Sequence, residues 1–414
     1  MFALIDGNNF FASCEMVFNP TLRNRPLVVL SNNDGCIIAR SYEAKALGIP
    51  MGGPMHEWKA LLEKHNGVWR SANFPLYGDL SSRMVSVLRD LLPAVEVYSI
   101  DESFADISGI APAQLPAFGQ QVRAQVRQYV GLPVAVGMAP TKTLSKLANQ
   151  KAKKTTGVCV WLTAQEALAA VGDWPVGEVW GIGRRNAVKL EALGLPTIAR
   201  LAAARGDVVR QHFGVVGYRL WHELNGISCL PLEMLADPRK QIMASRSFGR
   251  PVTQLRELEQ AIATYAERAA RKLHIGQQLA QGMGVMLCTN PFRSKDKQRR
   301  VSTFIGLPVA TADPATLIRY ATQAMNQLYE AGFNYAKAGV VLTDLVPLEG
   351  YQPNLLTPQP DRPALQEAIH ALNARYNRRI VFNAACAVNP KWAMRASTRS
   401  PSYTTRWDAL CVVK

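Results

Sequence analysis

The chain opens on an apolar run that ends in an acid: Phe2-Ala3-Leu4-Ile5 leads into Asp6, and Gly7 follows. Such a run predicts a buried strand over 2–6, and a carboxylate at the end of a buried strand is costly unless a cation compensates it. A second acidic element lies further on. Val95-Glu96-Val97-Tyr98-Ser99-Ile100 alternates like a strand, turns at Asp101-Glu102 and returns through Phe104-Ala105-Asp106-Ile107. Adjacent carboxylates at a hairpin tip repel each other without a metal. Taken singly, Asp6 reads as a turn cap and the other two as loop acids. Taken together, on the same edge of one sheet, the three read as an oxygen-rich site suited to Mg²⁺.

Other elements fit around that frame. Val28-Val29-Leu30 and Cys36-Ile37-Ile38-Ala39 predict a hairpin around Asn33-Asp34-Gly35. A short helix over 41–47 is stopped by Gly48, with Pro50 beyond, and a longer one over 79–92 ends at Pro93. A helix near 113–130, a strand at 133–138 and a helix opening at Pro140-Thr141 follow. Strand, hairpin, helix, strand, helix on one sheet is an α+β pattern. Gly and Pro then break 171–235 into short helical stretches. From 240 to 347, strand-like runs (283–288, 301–305, 337–343) flank helical ones (255–273, 314–331), predicting a small α/β module. Residues 350–363 hold four prolines and read as a linker. One amphipathic helix follows, with Leu365, Ile369 and Leu372 on one face.

Charge separates these regions. Residues 1–110 carry 9 basic and 12 acidic side chains, whereas 239–320 carry 14 basic against 5 acidic. An acidic site followed by a basic body suits an enzyme that binds metal at one end and polyanion along the rest. No window approaches the roughly 18 apolar residues of a membrane span. The N-terminus reaches an acid too early for a signal peptide. The seven cysteines (14, 36, 159, 229, 288, 386, 411) show neither metal-ligand nor redox spacing. Reduced thiols in a cytoplasmic protein, with no membrane partner, are the expectation.

Several motifs then converge. Ile5-Asp6-Gly7-Asn8-Asn9-Phe10-Phe11-Ala12-Ser13-Cys14-Glu15, Tyr42-Glu43-Ala44-Lys45 and Tyr98-Ser99-Ile100-Asp101-Glu102 resemble, in order and spacing, the Y-family translesion DNA polymerases of the UmuC type. The resemblance runs to the tail, Ser400-Pro401-Ser402-Tyr403-Thr404-Thr405-Arg406. It implies a multi-domain right-hand polymerase with a ferredoxin-like palm (1–12 and 74–170), small fingers (13–73) and a helical thumb with a helix-hairpin-helix (171–236). An α/β little finger (237–348) and a linker with a C-terminal tail (349–414) complete the expected order.

By the same resemblance Asp6, Asp101 and Glu102, with the Gly7 carbonyl, hold two Mg²⁺ ions for nucleotidyl transfer. Phe11 falls at the steric-gate position, where a ring collides with a 2′-hydroxyl; without the family it reads as a core aromatic beside Phe10. Tyr42 and Lys45, three apart on one helix, match the triphosphate-binding pair, and Lys153 matches a third triphosphate contact. Lys142 and Lys146 share that stripe and are expected to form a solvated charge face. Trp180-Gly181-Ile182-Gly183-Arg184-Arg185 reads as a helix-hairpin-helix, in which Gly181, Gly183 and Arg184 meet a DNA phosphate. Arg246, Arg250, Arg299 and Arg300 are expected along the template and primer backbones. Gln352, Leu355 and Leu356 resemble a sliding-clamp-binding peptide, with a plain linker as the equal alternative. The family implies primer-template DNA and dNTPs as substrates, and a processed UmuD dimer and RecA as partners. Two rival functions are a catalytically inactive polymerase-like scaffold and a PIN-like metal-dependent nuclease, since a strand ending Leu-Ile-Asp-Gly-Asn-Asn also suits the latter.

Overall fold

The computed structural model describes residues 1–235, 237–352, 362–376 and 379–410. The chain divides into two compact units. The first comprises Met1–Ser31, Gly35–Ala236 and Ser397–Lys414; the second, Asn32–Asp34 and Asp237–Ala396.

The first unit begins with β1 (Phe2–Gly7), α1 (Phe10–Phe18), β2 (Leu27–Leu30), β3 (Ile37–Arg40), α2 (Tyr42–Ala46), α3 (Met55–Lys64) and β4 (Val68–Ser71). Next come α4 (Phe74–Leu91), β5 (Val95–Val97), β6 (Glu102–Asp106), α5 (Leu115–Val130), β7 (Val134–Ala139), α6 (Lys142–Ala152) and β8 (Val158–Val160). Four helices finish it: α7 (Ala164–Val171), α8 (Arg184–Ala192), α9 (Ile198–Ala202) and α10 (Gly206–Leu224). A five-stranded sheet in the order β5-β6-β1-β7-β8 forms its centre, and β3-β2-β4 forms a smaller sheet.

β1 is apolar as far as Ile5, ahead of Asp6, because both faces of its sheet are covered. Ala3, Ile5, Val134, Val136 and Met138 share one core with residues of α4 and α5. On the other face α6 lies directly against β7 at Gly137, where a Cβ would fall 2.1 Å from the Asn149 amide nitrogen. Only glycine permits that approach.

The hairpin bearing the acids departs from the expected form. Its first strand is only Val95–Val97, and the tip is 98–101, closed by Tyr98 and Ser99 N–H groups donating to the Glu102 carbonyl. Glu102 therefore starts β6 instead of sitting at the tip. The β2–β3 hairpin forms, but β2 also pairs in parallel with β4, a strand whose polar Arg70 and Ser71 hid it in the sequence. α4 begins at Phe74, five residues before the expected start at 79, because Pro75 is compatible with a helix's first turn.

The second unit contains β9 (Ile242–Val252), α11 (Leu255–Ile275), β10 (Gln278–Thr289), β11 (Arg300–Thr311), α12 (Pro314–Leu328), β12 (Tyr335–Pro347) and α13 (Pro363–Arg375). Its sheet runs β11-β10-β12-β9, antiparallel throughout. Met283, Val285, Leu287, Ala338, Val340 and Leu342 pack with α11 and α12. The alternating positions on the opposite face include Gly284, Gly306, Gly339 and the exposed Phe304. On α13 the expected apolar stripe is not closed over, since Leu365 and Leu372 are exposed.

Candidate active site

Asp6 and Glu102 are direct partners across β1 and β6. The Gly7 N–H donates to the Asp101 carbonyl at 2.8 Å, which fixes the third acid at the same strand ends. The three side chains nevertheless turn to separate partners. Lys153 Nζ lies 2.7 Å from Asp6 Oδ2, and Lys146 Nζ donates to both Glu102 oxygens at 2.9 and 3.0 Å. The Ser99 hydroxyl donates to Asp101 Oδ1 at 2.7 Å. Among the described residues no three His, Cys, Asp or Glu side chains are arranged as a ligand set. Like charges spread apart, and Asp6 and Glu102 each find a lysine while Asp101 finds a hydroxyl donor.

The chemistry of the donors still fits a hard divalent cation. Burial pushes the Asp6 carboxyl up to about 6; Lys153 opposes the rise, while the charges of Glu102 and Asp101 add to it. A bound cation would relieve both the desolvation and the repulsion.

α6 supplies the counter-charges. The Thr141 side chain caps it by accepting from the Leu144 amide at 3.2 Å. Lys142 and Lys146, expected to form a solvated charge face, are instead turned inward. Lys142 is 3% exposed and meets Glu96 at 2.5 Å. Lys146 lies over the rings of Tyr98 and Trp180, 4.5 and 5.3 Å from their centroids, while it holds Glu102. The close contact at Gly137 brings this helix face down onto the sheet's acids.

Beside the acids, a cavity of about 210 Å³ is lined by Asp6, Gly7, Phe11, Arg40, Lys45 and Lys153, among others. Phe10 is buried, whereas Phe11 is half-buried, its ring stacked on Tyr77 at 4.6 Å and edge-on to Phe74 at 5.8 Å. Tyr42 and Lys45 share a face of α2, with Lys45 Nζ 5.5 Å from the Tyr42 ring centre. They line an adjoining space of about 370 Å³ together with Lys153. Burial lowers the Lys45 ammonium pKa, and the neighbouring Arg40 and Lys153 charges lower it further. Mutual repulsion of cations around a cavity is relieved by an anionic ligand. Arg40 is a member that sequence reasoning missed. It donates Nη1 to the Ile49 carbonyl at 2.6 Å, and its buried Nε has no partner among the described residues. Its place two residues before Tyr42 was the available signal.

The expected DNA contacts divide. Gly181 has φ +87°, a turn that only glycine adopts freely, and Gly183 caps α8, where Arg184 is exposed. Arg246 and Arg300 are exposed on β9 and β11. Arg250 is paired with Glu257, and Arg299 with Glu330 at 2.5 Å, so these two also brace the second unit internally. Gln352 is exposed, while Leu355 and Leu356 lie outside the described residues.

Comparison with known structures fixes the fold. The chain superposes on a Y-family DNA polymerase chimera, Dbh-Dpo4(243-245)-Dbh, with a TM-score of 0.68 over 84% of this chain and 100% of that one, at 19% identity. This is the α+β, multi-domain polymerase fold expected from the sequence. Residues 5–150 match the impB/mucB/samB family, 239–355 its C-terminal domain, and 363–413 a domain of unknown function, DUF4113. The chain is 43% identical to Protein ImpB of Salmonella typhimurium over 98% of each protein. It is 40% identical to Protein UmuC of S. typhimurium strain LT2 over the full length of both, and 29% identical to DNA polymerase IV of Moorella thermoacetica over 92% of this chain and 94% of that one. It therefore belongs to the impB/mucB/samB family, the UmuC-type Y-family DNA polymerases. No helix of the described residues is long and apolar enough to cross a membrane.

Proposed function

We propose that this protein extends a DNA primer past damaged template bases, with Asp6, Asp101 and Glu102 as its catalytic carboxylates. The observation that carries this reading is the pairing of Asp6 with Glu102 across β1 and β6, beside a cation-lined cavity that contains Phe11. Residues 1–12 and 74–170 serve as palm, 13–73 as fingers, 171–236 as thumb, 237–348 as little finger and 349–414 as linker and tail. Two Mg²⁺ ions, held by the three carboxylates and the Gly7 carbonyl, would supply the charge that activates the primer 3′-hydroxyl and offsets that on the leaving pyrophosphate.

The protein's own groups do the rest. Lys45, Lys153 and Tyr42 bind the triphosphate, and Arg40, which lines the same cavity, adds positive charge on that side. Phe11 lies under the incoming sugar and excludes a 2′-hydroxyl by bulk. Lys146 holds Glu102, and Ser99 holds Asp101, until metal and nucleotide arrive. Gly181, Gly183 and Arg184 grip a backbone phosphate, and Arg246, Arg250, Arg299 and Arg300 follow the duplex without reading its sequence. The retained carboxylates disfavour an inactive scaffold, and the cation-lined cavity with its aromatic floor does not fit a nuclease.

Primer extension across an abasic site, with dNTPs and Mg²⁺, tests the reading; a shortened primer, or binding without extension, would refute it. The assay is run with and without a processed UmuD dimer and RecA, the partners proposed to act with this chain. The sugar gate has its own test. Phe11→Ala should raise ribonucleotide insertion relative to deoxyribonucleotide insertion by at least about tenfold; an unchanged ratio would make Phe11 a packing residue. The proposed clamp peptide predicts that Leu355→Ala with Leu356→Ala weakens sliding-clamp binding at least about tenfold, since two anchoring side chains are lost. Clamp-independent extension should stay at the parent level, and equal clamp binding would leave a plain linker.

A further inference from the structure

The last described segment returns to the first unit and docks where α4 begins. Thr398 and Ser71 bond reciprocally: the Ser71 amide donates to Thr398 Oγ1 at 3.1 Å, and the Thr398 amide to Ser71 Oγ at 3.0 Å. Asn73, the residue preceding α4, is 1% exposed and is gripped from both ends. Its Oδ1 accepts from Arg399 Nε and Nη2 at 3.2 and 3.0 Å, while its Nδ2 donates to Ser400 Oγ at 2.9 Å and to the Pro401 carbonyl at 3.2 Å. Tyr403 stacks on Phe18 of α1, 5.0 Å apart and 11° from parallel.

One of these contacts continues to Phe11. The Ser400 hydroxyl donates to Glu15 Oε1 at 3.1 Å, and the Tyr77 hydroxyl donates to the same oxygen at 2.7 Å. Tyr77 is the ring stacked on Phe11, and Phe74, at the start of α4, is the ring edge-on to it. Glu15 is 1% exposed and Tyr77 is fully buried, so neither hydroxyl can be replaced by water without repacking.

We propose that residues 397–410 are a strap that sets the sugar-selecting ring, with Ser400, Glu15 and Tyr77 as positioning residues behind Phe11. The proposal rests on Phe11 being the steric gate and assigns a role to a segment that lies within the match to a domain of unknown function. Burial raises the Glu15 carboxyl pKa, and the Tyr77 and Ser400 hydroxyls followed by Arg70 and Arg399 draw it back down. A shared acceptor held in this way transmits a small displacement directly, because a buried hydrogen bond leaves no room for slack.

The test compares ribonucleotide with deoxyribonucleotide kcat/KM in the full-length chain. Ser400→Ala and Tyr77→Phe should each raise the ribonucleotide share about fivefold, the worth of one buried hydrogen bond. Their double mutant should fall short of the product of the two, because both act through one oxygen. Glu15→Gln keeps the accepting oxygen and should select sugars nearly as the parent does, whereas Glu15→Ala should not. A merely structural strap would lower the melting temperature without moving the sugar ratio, and that result overturns the proposal. If Phe11→Ala relaxes selection while Ser400→Ala and Tyr77→Phe select like the parent, the strap falls and the gate stands. If Phe11→Ala also selects like the parent, the gate falls and takes the strap with it.

Discussion

Asp101→Ala and Glu102→Ala are each expected to cut primer extension by roughly a thousandfold or more, since ~4 kcal/mol of transition-state charge stabilisation corresponds to about that factor. Neither change should weaken primer-template binding by more than about twofold, because affinity for the duplex comes from basic side chains far from these acids in sequence. Each alanine also frees a partner. Glu102→Ala strands Lys146, whose side chain is only 14% exposed, and Asp101→Ala leaves the Ser99 hydroxyl without its acceptor. The isosteric Asp101→Asn separates these effects, since it keeps an oxygen for Ser99 and removes only the charge. It should be as inactive as the alanine variant, with the parent's melting temperature. Single-turnover extension alongside primer-template anisotropy measures both quantities. Near-parent rates in all three variants would remove these carboxylates from the chemistry.

The acids and the nucleotide pocket were legible because they rest on short local patterns. An apolar strand that closes on Asp6 needs a buried sheet and a compensating cation, and both expectations come from five residues. Tyr42 and Lys45 share a face by helical spacing alone. What escaped the sequence depends on contacts between distant segments. The inward turn of Lys142 and Lys146 follows from the missing side chain at Gly137, which lets α6 settle onto β7, and nothing near those lysines announces it. The strap is a sharper case, since Ser400 and Glu15 are 385 positions apart, and although each lies in a motif that carries the family resemblance, neither motif announces a contact with the other. β9 was missed because its Gly249 and Arg residues interrupt the alternation that its pairing with β12 nevertheless imposes.

Lys142→Ala should cost the first unit roughly 3–5 kcal/mol, the usual penalty for removing one partner of a buried ion pair. Glu96 is 6% exposed, and its Oε2 accepts from both Lys142 and the Glu233 amide, at 2.5 and 2.8 Å. Without the ammonium, a buried carboxylate keeps only a neutral donor. Lys142 also lies over the Phe104 ring, 5.0 Å from its centre, so packing on the sheet face is lost with the charge. The same truncation one turn along should behave differently. Lys146 and Glu102 keep some access to water, so Lys146→Ala should destabilise by no more than about 1–2 kcal/mol and show its main effect in catalysis, through a loosened Glu102. Pairing Lys142→Met with Glu96→Gln should recover most of the stability, because it removes both charges while keeping the volume and an acceptor for the Glu233 amide. Denaturant unfolding of the three variants measures the order. A loss below about 1 kcal/mol for Lys142→Ala would mean that the pair is solvated after all, as the stripe of lysines first suggested.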